Sequence, residues 1–159
     1  MLLTPHTFVG IAIANVIPNP FIAVPLAFGM HFVGDMIPHW DFYSNTKRED
    51  RLTGWRPIAV MGDLAVAVAL GVVATTYALW VKNDSALALN IFLCGIASSL
   101  PDAIIGLRIF ANKEPGILKL MNNVQRKIQF QAPLPWGVLT QLLIVVASSL
   151  LILNSIKSV

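Results

Sequence analysis

Charge is what this chain has least of. Asp, Glu, Lys and Arg make up 12% of its 159 residues, against about 25% in an ordinary soluble domain, and mean hydropathy is +0.71. With 56% of residues apolar, a water-soluble globular domain is excluded. Cysteine is reduced to Cys94, which excludes an internal disulfide framework. No Lys or Arg precedes Lys47, so the basic start of a secretory leader is missing and no cleaved signal peptide is expected, although Ala12-Ile13-Ala14 resembles a cleavage motif. There is no Gly-x-Ser-x-Gly elbow and no Ser-His-Asp order, which sets aside serine hydrolases. The absence of Pro-Ser-Gly-His sets aside lipid phosphatases of the phosphatidic-acid type. A formal charge of +3 does not point to nucleic acid, because the basic residues sit in loops between apolar runs.

Long apolar runs are what is present. A bilayer core asks for roughly 20 consecutive apolar residues per helix. Ile58 to Val81 supplies such a run with Asp63 as its only charged side chain, Ala86 to Leu107 a second with Asp102, and Gly137 to Leu153 with its flanks a third. Nearer the start, Thr4 as N-cap with Pro5 at the first helical position opens a short apolar helix that Pro18-Asn19-Pro20 stops. Phe21 to Ile37 is then long enough for a fourth span, with Pro25 either kinking it or marking its true start. The expected fold is an all-α polytopic membrane helical bundle. It forms a single integral membrane domain over 1–159, with four spanning helices and a short N-terminal helix, or five spans if residues 5–17 also cross.

Lys and Arg set the orientation. Lys47, Arg48, Arg51 and Arg56 fall in one loop and Arg108, Lys113, Lys119, Arg126 and Lys127 in another, whereas Lys82 and Lys157 stand alone. The two basic loops are therefore expected on the cytoplasmic side of a cell's inner membrane. Within residues 111–135, Leu118, Met121, Val124, Ile128 and Phe130 recur at three- to four-residue spacing with basic residues between them. This reads as an amphipathic cytoplasmic connecting segment on the anionic leaflet, the alternative being a solvated connector.

The polar residues that remain concentrate on that same face. His31 and Asp35 are four apart and share a helix face, and Pro38 ends the helix so that His39 and Asp41 can turn inward. Asp63 lies near the start of the third long helix and Asp102 near the end of the next. His6 joins them if the first two helices form a hairpin. An intramembrane carboxylate is costly and marks a functional site by default. Three histidines among aspartates favour a divalent transition metal, zinc or manganese. The candidate ligands are His6, His31, Asp35, His39 and Asp41, with Asp63 or Asp102 as a further ligand or general base. Each has a plainer alternative: packing for His31, interfacial loop positions for His39 and Asp41, a helix-entrance cap for Asp63, and a first-turn acid after Pro101 for Asp102. Gly95, Ser98 and Ser99 are expected to make a small-residue helix contact rather than supply nucleophiles. Gly29 to Pro38 and Gly95 to Ile104 also echo each other, each running from a Gly in an apolar helix to an Asp beside a Pro.

These elements resemble the bacterial inner-membrane family of membrane-bound metal-dependent hydrolases of the DNA-damage-induced type. His6 matches that family's early histidine, Asp35, Pro38, His39 and Asp41 match its Pro-Asp-x-Asp-His cluster in altered order, and Ser99-Leu100-Pro101-Asp102 looks like another Pro-Asp element. No histidine follows His39, where the family has an Arg-Gly-x-Thr-His stretch. The resemblance implies a class, hydrolysis at a membrane-embedded metal centre; a phosphoester or lipid-like substrate is expected because the site would open at headgroup depth on the cytoplasmic leaflet. Membrane lipid is the expected partner, and nucleic acid is not. The alternative function is a non-enzymatic membrane protein that binds or conducts a cation or proton.

Overall fold

The computed structural model describes residues 1–44, 46–47, 50–51, 53–107 and 116–157. Arg48, Arg108 and Lys113 of the expected basic loops, and the start of the 111–135 segment, lie outside the described residues, as does the side chain of Leu118. Among the described residues six α-helices follow one another: α1 Leu3–Val16, α2 Pro20–Met36, α3 Arg56–Thr76, α4 Ser85–Leu107, α5 Gly116–Ile128 and α6 Trp136–Lys157. A π-helical turn, Tyr77–Val81, extends α3. There is no strand among the described residues, only an isolated bridge between His39 and Gln131.

Among the described residues three stretches are long and apolar enough to cross a membrane: Arg56–Val81, Ser85–Ile104 and Trp136–Ile156. These are the three runs read from the sequence, and they identify a helical membrane protein. The expected fourth span corresponds to α2. Its 17 residues extend about 25 Å at 1.5 Å per residue, short of a roughly 30 Å hydrocarbon core. It begins at Pro20, where the Asn19 side chain accepts from the Phe21 N–H at 3.0 Å, and it continues unbroken through Pro25.

The shortest apolar helix is the one at the centre. α1 packs on α2, α3, α4 and α6, and its apolar residues are spread around its circumference, as befits a helix enclosed on all sides. Small residues let the neighbours close in. A Cβ on Gly10 would lie 2.6 Å from the Cys94 carbonyl oxygen of α4, so this contact requires glycine. Of the small-residue contact expected at Gly95, Ser98 and Ser99, the serines take part, Ser98 against Gly10 and Ser99 against Thr7, whereas a Cβ on Gly95 would meet nothing within 4 Å.

The turn joining α1 and α2 has its polar groups answered. Pro18 and Pro20 have no N–H to satisfy. The buried Asn90 side chain of α4 donates to the carbonyls of Ala14 at 3.1 Å and Ile17 at 2.8 Å. Around this tip Val16, Phe21 and Ile22 are exposed.

At the opposite end, the expected Thr4 N-cap gives way to a cap supplied across the bundle. α1 starts at Leu3, and Leu2, which precedes it, has no side chain able to cap. Asp63 of α3 accepts from the Leu3 N–H at 2.6 Å, the Thr4 N–H at 3.1 Å and the Thr4 hydroxyl at 2.6 Å. The segment after α2 is tied to the α5–α6 connection by backbone bonds. Phe130 N–H donates to Asp35 O at 3.1 Å, His39 N–H to Phe130 O at 3.0 Å, and Ala132 N–H to His39 O at 2.8 Å.

Candidate metal centre

Four ligand-bearing side chains meet where the start of α1 and the ends of α2 and α4 come together. His6 stands in the first turn of α1, and Gly34 lets α2 approach it: a Cβ there would be 3.3 Å from His6 Cε1. His31 and Asp35 project from the last turns of α2 on one face. Asp102 follows Pro101 in α4, which continues through the proline without restarting. The two imidazoles stack, with centroids 4.0 Å apart. Asp35 serves both, with Oδ1 3.3 Å from His6 Nε2 and Oδ2 3.5 Å from His31 Nε2. Asp102 lies 3.6 Å from His31 Nε2 and 3.9 Å from His6 Nε2. His6, His31 and Asp102 can present ligand atoms that all lie within 4.8 Å of one another, a group able to hold a metal ion.

Local chemistry prepares the imidazoles for that role. His31 Nδ1 is 2.8 Å from the Ser98 carbonyl, which only accepts, so Nδ1 carries a proton and Nε2 is the ring nitrogen that faces the cluster, the one available to a metal. His6 Nε2 is buried without a hydrogen bond. His6, His31 and Asp35 are at most 1% exposed, whereas the Asp102 side chain keeps 22%. Among the described residues no Lys or Arg side chain pairs with either carboxylate, and the Met1 amino group contacts Asp35 Oδ1. Buried carboxylates demand partners of opposite charge or strong donors. The Met1 amino group meets that demand for Asp35, and a divalent cation would meet it for both carboxylates at once.

One donor comes from α5. Gln125 is 6% exposed, and its Nε2 donates to Asp35 Oδ2 at 2.9 Å and to Asp102 Oδ1, and lies 3.4 Å from His31 Nε2. Its Oε1 is buried with no partner. Gln125 was legible as a polar residue interrupting the Met121, Val124, Ile128 face of an amphipathic helix, a signal that a search restricted to His and carboxylates passes over.

The remaining sequence candidates go elsewhere. His39 is buried, its Nδ1 is 2.8 Å from Ile37 O, and its Nε2 is 3.2 Å from Gln129 Nε2. Burial holds its pKa below the usual histidine value. Asp41 Oδ2 accepts from Gln129 at 3.2 Å and Gln131 at 3.3 Å. His39 and Asp41 thus form a second polar pair, held by Gln129, the residue just past the end of α5. Asp63 is engaged with the start of α1, as described above. Comparison with protein-family models, with curated proteins and with solved structures gave no match.

Proposed function

We propose that the protein is a membrane-embedded metal-dependent hydrolase whose centre is formed by His6, His31, Asp35 and Asp102 and acts on a phosphoester of lipid type at the cytoplasmic face of the inner membrane. The observation that carries the reading is the convergence of two imidazoles and two carboxylates from three helices, all but Asp102 fully buried and, among the described residues, without a Lys or Arg side chain. Mixed nitrogen and carboxylate donors suit zinc or manganese. Bound there, such an ion brings the pKa of coordinated water toward 7 and polarises a phosphoryl oxygen. The chain's own residues divide the remaining work. The Ser98 carbonyl fixes the His31 tautomer, Asp35 is wholly enclosed and serves as a ligand, and the partly exposed Asp102 is placed to take the proton of an attacking water.

Two neighbouring features favour a lipid substrate. Beside the centre, Thr7 and Ser99, whose hydroxyls are 3.1 Å apart, border a cavity of about 240 Å³ walled by Leu64, Val68, Phe92, Ile96 and Leu100. Its apolar wall on α3 and α4 suits a hydrocarbon chain. On α5, Lys119, Arg126 and Lys127 lie on the exposed side with Leu120 and Val124, a composition that attracts anionic headgroups. The family resemblance of His6, Asp35 and the Pro101-Asp102 element supports the hydrolase class and names no substrate.

Elemental analysis of the purified protein tests the centre. Zinc or manganese near stoichiometry is expected in the wild type and strong depletion in His31→Ala and Asp35→Ala. A wild-type protein that neither retains nor takes up a transition metal overturns the proposal. With metal bound, Asp102→Asn is expected to lose phosphodiester or lipid-phosphoester turnover. Stoichiometric metal with no turnover on any phosphoester would leave the cation-binding reading instead.

A further inference from the structure

The Gln125 carboxamide stands where a cation bridging the two carboxylates would stand. Its Nε2 donates to Asp35 and Asp102 together and lies beside the ligand atom of His31. An amide N–H aimed at that point is incompatible with a cation there, so on metal binding the side chain must either leave or turn. Leaving is obstructed. Five residues further on, the Phe130 N–H is bonded to the backbone carbonyl of Asp35 itself, and Phe130 O in turn accepts from His39 N–H. Withdrawing Gln125 would strain the chain that pins α5 to the end of α2. Turning needs no backbone movement, because half a rotation of the amide exchanges Nε2 for Oε1, the atom that is buried without a partner.

We infer that Gln125 is a cation ligand through Oε1, delivered by α5, so that loading the centre fastens the amphipathic helix over it. The inference rests on the metal-centre reading above. It adds a ligand from outside the bundle, and with it a linkage between metal occupancy and the docking of α5. By reciprocity, whatever holds α5 down tightens metal binding by the same factor.

The test uses full-length protein in detergent, titrated with Zn²⁺ or Mn²⁺ alone, with hydrogen exchange of residues 116–128 followed alongside affinity. In the wild type, metal is expected to slow α5 exchange. Gln125→Ala is expected to bind at least about tenfold more weakly, in the range of lost metal-site partners, and at saturating metal to show no slowing. Gln125→Glu, which keeps an oxygen donor, restores both. Gln129→Ala, just past the end of α5, keeps the metal-dependent slowing and controls for general loosening of α5. Metal binding with α5 exchange unchanged or faster overturns the inference while leaving the centre standing, as does Gln125→Ala with wild-type affinity. Absence of metal binding by the wild type overturns both.

Discussion

Asp63 and Asp102 are each the sole carboxylate of a long apolar helix, and spacing alone treats them alike. Their neighbours separate them. Asp102 faces two imidazoles, while Asp63 accepts three hydrogen bonds from Leu3 and Thr4, the work of an N-cap performed from another helix. Asp63→Ala is therefore expected to cost about 1–2 kcal/mol, the upper part of the range for a lost cap, measured by thermal unfolding in detergent, with metal content per folded molecule unchanged. His39 yields a pH dependence. Its folded-state pKa is depressed by burial, so the stability it confers is complete above the unfolded value near 6.5 and is lost as pH falls below it, when the unfolded state binds the proton first. Melting temperature should decline between about pH 7 and 5, and His39→Asn, which retains a donor for Ile37 O, should flatten that decline. At this scale His6, His31, Asp35 and Asp102 were legible because ionisable groups in an apolar run are rare. The division of labour between Asp63 and Asp102 was not, since it depends on which helix end lies opposite each.

The α1–α2 hairpin and α5 show what periodicity can and cannot convey about elements. The lengths and limits of the long helices followed from apolar runs, and Pro18-Asn19-Pro20 marked the turn. Whether α2 crosses depends on how its tip is accommodated, which no local pattern encodes. Here the tip combines two residues without N–H, carbonyls answered by Asn90, and exposed Phe21 at 89%, a design that tolerates hydrocarbon. With the buried Cys94 silent as background, Phe21→Cys should resist a membrane-impermeant maleimide added to either side, while Ser85→Cys, at the start of α4, should react from one. Labelling of Phe21→Cys equal to that of Ser85→Cys would show that the hairpin reaches water. Asn90→Leu should destabilise by about 1–3 kcal/mol, the penalty of buried acceptors left without donors.

Across the whole molecule, the centre couples helices that are far apart in sequence, so occupancy should be felt globally. Metal at about 100 times its dissociation constant adds about 2.7 kcal/mol to stability if only the folded state binds. A corresponding rise in melting temperature is expected for the wild type and none for His31→Ala or Asp35→Ala. The all-helical membrane class was plain from composition. The arrangement around α1 was not, because a helix that is apolar on every side names no neighbour, and only tight contacts such as Gly10 against Cys94 choose one.

The enclosure of α1 also governs when the site can exist during synthesis. α1 leaves the ribosome before the four bundle helices that surround it, and its partner Asp102 is about ninety residues away. Until α4 has entered the membrane, His6, His31 and Asp35 lack their fourth companion. Until α5 and the α5–α6 connection follow, Gln125 and the backbone ties to Asp35 are missing as well. A nascent chain would therefore have no complete cage with which to trap whichever ion it meets first, and selection of the metal would be deferred to the finished protein, whose geometry can discriminate.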